Sequence, residues 1–152
     1  MPVLDAFSLA GKVSVVTGGN RGIGRALATA LAEAGSDVAL LVRDADAAAD
    51  AVDALAGLGV RSAAVAADVT DAEQVRRAVP AIVERLGRVD VLVNNAGACV
   101  HRPALEVTPQ EWQSVMDVNV NGVWNCAQAF GRQMRKLGRG SLSCLAGSIR
   151  HI

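Results

Sequence analysis

The chain contains no tyrosine, and its aromatic residues are two phenylalanines and two tryptophans among 152 residues. With no phenol present, acid–base chemistry by this chain falls to some other side chain. Lysine is nearly as scarce, with Lys12 and Lys136 alone. An excess of charge is also missing, because fifteen basic and fifteen acidic side chains cancel. Without a net positive field, neither nucleic acid nor an anionic membrane surface is an expected partner. No apolar run approaches the roughly 18 residues that span a bilayer. Residues 1–11 lack both the basic start and the apolar core of a signal peptide, so export is not expected and the expected compartment is the cytoplasm. Cys99, Cys126 and Cys144 are odd in number and too widely spaced for a metal-ligand motif, and are read as reduced, small apolar residues. His101 and His151 each stand without metal spacing and are assigned to loop or surface positions.

What is present points to a folded chain: 51% of the residues are apolar and 20% charged. The length is that of one domain, 1–152. Short β-branched runs alternate with segments of helical period, the pattern of βαβ units and a parallel sheet. Strands are expected at residues 12–17 (KVSVVT), 37–42 (DVALLV), 60–66, 89–93 and 141–145. Helices are expected after Gly22 as far as Gly35, over 45–56, from 71 to about 86, and from 109 to about 137, where Gly122 loosens the last. Asp68, Thr70 and Asp71 are cap candidates for the third helix. Right-handed crossovers then place helices on both faces, giving an α/β fold with a doubly wound, Rossmann-like parallel sheet of five strands.

The segment Thr17-Gly18-Gly19-Asn20-Arg21-Gly22-Ile23-Gly24 lies between the first strand and the first helix. Glycines there allow a sharp turn and let backbone approach a pyrophosphate, while free N–H groups at the helix start attract the anion. The spacing is TGxxxGxG rather than the commoner GxGxxG. A dinucleotide is the expected ligand, held by Gly18, Asn20, Arg21, Gly22, Ile23 and Gly24.

These residues resemble the cofactor motif of the short-chain dehydrogenase/reductases. Asn94-Asn95-Ala96-Gly97 is similar to that family's signature after the fourth strand, and Asp68-Val69 to its adenine-contacting acidic position. Asn119, in Asp117-Val118-Asn119-Val120-Asn121-Gly122, falls where the family carries its catalytic asparagine. The resemblance implies cofactor contacts at Asp68, Val69, Asn95, Ala96, Gly97 and Val118, and a part for Asn119 in holding a water of a proton relay. Members that prefer NAD place an acid at the tip of the second strand; the corresponding residue here is Val42, followed by Arg43. Arg21 and Arg43 suit a 2′-phosphate, through charge-assisted and bidentate bonds, although Asp44 weakens their field. NADP(H) is therefore the expected cofactor.

The resemblance also implies a tyrosine as proton donor, a lysine four residues later, and a serine that orients the substrate oxygen. The chain has no tyrosine, and neither of its lysines stands where the partner belongs. Ser148, near the end of a serine-rich stretch, is the serine candidate, with Gly147 at the expected place through a one-residue slip. Family members run to about 250 residues, as the resemblance implies, so this chain reads as truncated. Its fifth strand is expected to form an exposed edge, and the chain to oligomerise or aggregate. The expected function is hydride transfer between a nicotinamide and a small carbonyl compound or secondary alcohol, with no turnover by these residues alone. A dinucleotide-binding module without chemistry and an inactive truncated product are the alternatives.

Overall fold

The computed structural model of the protein describes residues 6–145. Chain order runs β1 (Val13–Thr17), α1 (Gly22–Glu33), β2 (Asp37–Val42), α2 (Ala49–Ala56), β3 (Ser62–Ala66), α3 (Ala72–Leu86) and β4 (Val91–Asn94). Then follow α4 (Pro109–Met116), a π-helical stretch (Asp117–Gly122), α5 (Val123–Lys136) and β5 (Ser141–Cys144). A single 3-10 turn, Asp46–Ala48, leads into α2. The five strands form one parallel sheet in the order β3-β2-β1-β4-β5.

Every residue of β1 is buried, as expected for a strand covered on both faces. Its period of two sorts side chains between two cores. Val13 and Val15 pack with Ala39 and Leu41 of β2 against Val75 and Ile82 of α3 and Phe130 of α5. Val16 packs with Val38 and Leu40 against Ala28 and Ala32 of α1 and Leu55 of α2. Small alanines on α1 let that helix lie close to the sheet, and this closeness brings its first turn against the end of β1.

Asp71 caps α3, its Oδ1 accepting from the N–H groups of Glu73 and Gln74 at 2.9 and 3.1 Å. Bonds from Gln74, backbone and side chain, hold the Asp71 carboxyl below the usual range. Pro80 stands inside α3 at an exposed position, and brings no N–H to the helix ladder there. The expected helix from 109 to 137 is divided: α4 starts from a Thr108–Glu111 capping box, and the π stretch separates it from α5. At the sheet's margins, among the described residues, β3 pairs only with β2 and β5 only with β4. All four residues of β5 are exposed, Leu142 among them. Among the described residues, no helix is long and apolar enough to cross a membrane.

Candidate functional site

β1 ends at Thr17, whose hydroxyl oxygen accepts from the N–H groups of Asn95 and Ala96, both at 2.9 Å. In return the Asn95 amide donates to the carbonyls of Thr17 and Gly18, at 3.0 and 3.3 Å. Four bonds thus stitch the turn after β1 to the chain leaving β4. Gly18 and Gly22 adopt φ of +64° and +54°, the left-handed region in which glycine carries no steric penalty. At Gly24 the space itself demands glycine: a Cβ would stand 2.3 Å from the Gly18 oxygen and 2.4 Å from Asn95 Nδ2.

Past this turn, α1 begins without a capping side chain and without an acid in its first turn. Its first intrahelical bond runs from Arg25 N–H to the Arg21 carbonyl at 3.1 Å, so the N–H groups of Gly22, Ile23 and Gly24 precede the ladder. All three residues line a cleft of about 610 Å³ at the carboxyl ends of the strands. Gly18, Asn20, Arg21, Gly22, Ile23 and Gly24 form one wall, with Ile23 71% exposed. From the end of β2 come Leu41, Val42, Arg43 and Asp44; from the loop after β3, Ala67, Asp68 and Val69. Asn95, Ala96, Gly97 and Ala98 close the far side, and Val118 reaches in from the π stretch. Every cofactor-binding residue expected from the sequence lines this one cleft.

Electrostatics favour an anion at its β2 end. Val42 puts no charge at the strand tip, and neither Arg21 nor Arg43 is paired with a carboxylate among the described residues. The nearby Asp44 turns its Oδ1 onto the N–H groups of Asp46 and Ala47, at 3.0 and 3.1 Å, and serves the start of the following helical turn. Asp68 spends Oδ1 on Thr70, accepting from its N–H at 2.9 Å and its hydroxyl at 2.8 Å. Since Asp71 does the capping, the Asp68 Oδ2 is left without a partner among the described residues. Gln74 steadies this loop, accepting from the Asp68 N–H at 3.0 Å and donating to Asp71 at 2.9 Å.

Asn119 lies on the π stretch, and its amide grips the Ala98 backbone from both sides. Oδ1 accepts from the Ala98 N–H at 2.8 Å, and Nδ2 donates to the Ala98 carbonyl at 2.9 Å. The bulge also sets Gly122 against Val69, where a Cβ would come within 2.7 Å of Val69 Cγ2, and Asn125 donates to the Val69 carbonyl at 3.0 Å. One irregular helical turn therefore touches two walls of the cleft.

Of the asparagine pair after β4, only Asn95 reaches the cleft. Asn94 is buried at the β4–β5 junction, with Nδ2 3.7 Å from Cys144 Sγ. Ser148 and His151 lie outside the described residues. Leu41, Asp44, Ala67 and Ala98 also line the cleft; their place at strand ends beside the glycine turn was the available signal. Among the described residues no cluster of three or more His, Cys, Asp or Glu suits a metal ion. The arrangement as a whole, bare amides at a helix start, glycines where a side chain would intrude and two unpaired guanidinium groups, fits an elongated phosphate-bearing ligand.

A family model described as short chain dehydrogenase matches residues 12–146. A 3-oxoacyl-acyl-carrier-protein reductase of Staphylococcus aureus is 39% identical over 142 residues, covering 91% of this chain and 58% of that protein. The crystal structure of a short-chain type dehydrogenase/reductase from Mycobacterium marinum superposes with a TM-score of 0.90 at 39% identity, over 95% of this chain and 59% of that one. A gluconate 5-dehydrogenase from Burkholderia cenocepacia, solved in complex with NADP and tartrate, gives a TM-score of 0.87 at 38% identity, over 93% and 55%. The chain spans a little over half the length of these relatives.

Proposed function

The chain belongs to the short-chain dehydrogenase/reductase family, and on that premise we propose that it forms the NADP(H)-binding part of an oxidoreductase acting on a small carbonyl compound or secondary alcohol. The observation that carries this proposal is the single cleft that gathers the glycine turn, Asp68, Asn95 and two unpaired arginines. NADP bound to the Burkholderia relative supports the choice of cofactor.

In this assignment the N–H groups of Gly22, Ile23 and Gly24 hold the pyrophosphate, with the helix dipole behind them. Arg21 and Arg43 hold the 2′-phosphate, and the N–H groups of Asp46 and Ala47 partly offset the charge of Asp44 beside them. Asp68 Oδ2 accepts from the adenine amine, and the methyls of Val69 pack beside the base. Thr17 and Asn95 keep the turn in place. When bound, the dinucleotide supplies or takes up the hydride. Asn119 acts as a positioning residue that holds the Ala98 segment beside the cleft, and its place in a water-mediated relay follows from the family likeness.

The proton that accompanies hydride transfer has no phenol to come from within these residues. We therefore assign them binding without turnover of their own, and keep the homo-oligomer expected from the exposed β5 edge as part of the same proposal. Cytoplasmic placement belongs to it too.

Titration of the chain with NADPH and with NADH tests this, read by energy transfer from Trp112 and Trp124, both of which are exposed. Saturable binding at least about tenfold tighter for NADPH is expected, from one or more charged hydrogen bonds to the 2′-phosphate. Equal affinities would remove the roles of Arg21 and Arg43, and absence of binding would remove the whole assignment. NADPH oxidation with a carbonyl substrate, abolished by Asn119→Ala, would refute the assignment of binding without turnover.

A further inference from the structure

Cys99 Sγ lies 3.4 Å from His101 Nε2, and both residues are exposed. The sequence assigned His101 to a loop or surface position, and the structure places it in an exposed loop, where it meets a thiol. Two contacts flank the pair. Ala98 is gripped by Asn119 at 2.8 and 2.9 Å, and Arg102 bonds Glu111 of α4 at 3.0 Å. The thiol and imidazole stand between these two contacts.

The other two cysteines make the contrast internal to the molecule. Cys126 is on the buried face of α5, and burial pushes its thiol up to about 12. Cys144 is exposed, but its hydrogen-bond partner among the described residues is the Asn94 amide, a donor that takes no proton. Among the described residues, only Cys99 combines access with a proton acceptor.

The geometry points to Cys99 and His101 as a thiol-exchange site that takes up a low-molecular-weight disulfide. His101 Nε2 accepts the Cys99 proton as Sγ attacks one sulfur of the disulfide. A new S–S bond forms as the old one breaks, and the departing thiolate collects the proton from His101. Cys99 is oxidised to the mixed disulfide and half of the reagent is reduced to thiol, so no other oxidant enters. Cys99 follows Ala98, which lines the cleft, and the chemistry holds whether or not that cleft takes a nucleotide.

The test uses 5,5′-dithiobis(2-nitrobenzoate) on the full chain at pH 7, following the released thiolate by absorbance. One thiol per chain is expected to react in a fast phase that Cys99→Ser removes and Cys144→Ser leaves intact. His101→Gln is expected to slow that phase about fivefold or more, the loss of a proton acceptor from a thiol whose reaction needs one. Circular dichroism verifies that each variant is folded, and in guanidinium the His101→Gln and parent chains are expected to react alike. A fast phase that persists in Cys99→Ser, or a folded His101→Gln chain that reacts as quickly as the parent, overturns the assignment.

Discussion

Gly24→Ala is the sharpest test of how the turn and the first helix are fitted together. The new Cβ would stand 2.3 Å from the Gly18 carbonyl oxygen and 2.4 Å from Asn95 Nδ2. Neither can swing aside, since one is backbone and the other donates to Thr17 and Gly18. Relief requires α1 to withdraw by roughly 1 Å, an overpacking cost of about 1–3 kcal/mol. Disturbing the Asn95 bonds adds about 1 kcal/mol. Alanine's better helix propensity offsets up to about 1 kcal/mol of this. A net loss of about 1–4 kcal/mol lowers the melting temperature by roughly 2–16 °C in a chain of this size. The same withdrawal carries the helix amides away from the cleft, so NADPH binding is expected to fall with it. Two other glycines calibrate the result, because a Cβ meets nothing within 4 Å at either. Gly131→Ala, within α5, is expected to gain about 0.5–1 kcal/mol. Gly22→Ala, at φ +54°, is expected to lose about 1–2 kcal/mol to backbone strain alone. Thermal melts by circular dichroism, with nucleotide titrations beside them, decide the matter. A Gly24→Ala chain that melts with the parent and binds NADPH equally well would refute the close approach.

Arg43→Ala is expected to weaken NADPH about 10–100-fold and to leave NADH unchanged, the loss of a charge-assisted contact to one phosphate; equal losses for both nucleotides in a fluorescence titration would remove that contact. Asn119→Ala severs two bonds to Ala98 and is expected to cost about 1–2 kcal/mol in urea denaturation, with faster hydrogen exchange at the Ala98 amide; an unchanged midpoint would count against the clamp. Asp90 supplies a dependence on pH. Burial would raise its carboxyl, but bonds from Arg88 and from the Val13 N–H, with Lys12 nearby, outweigh that and hold it below the usual range. Its stabilisation is therefore complete well above the unfolded value near 3.9 and is lost as pH falls through the lower folded one. Asp90→Asn is expected to cost about 2 kcal/mol or more at pH 7, by leaving Arg88 unpaired, and to flatten the acid limb of the stability curve; an acid limb as steep as the parent's would exclude Asp90 as its source.

The alternation of β-branched runs and helical periods located the five strands to within two residues at most of their ends, because strands buried on both faces must be apolar throughout. β2 matches the expected 37–42. The glycine turn was equally legible, since positive φ and close backbone approach leave few residue choices. Less legible was the interruption between α4 and α5. Gly122 marked a weak point, yet the π geometry depends on Val69 lying against that glycine and on Ala98 receiving Asn119, contacts between segments about 20 to 50 residues apart. For the same reason, three adjacent cap candidates before α3 did not reveal that Asp71 caps while Asp68 keeps one oxygen open to the cleft.

By itself, the sequence determined the sheet's composition, the glycine turn at the first helix and the lack of a phenol, because each follows from residue type and local spacing. Tertiary structure decided which side chains meet. It assigned Asn95 to the turn and Asn94 to the β4–β5 junction, although the two are neighbours, because successive residues leaving a strand point to opposite sides. It also set His101 beside Cys99, in a loop that meets Asn119 of the π stretch at Ala98 and Glu111 of α4 at Arg102. Those distances depend on how separate elements pack, and no local pattern of residues encodes that packing.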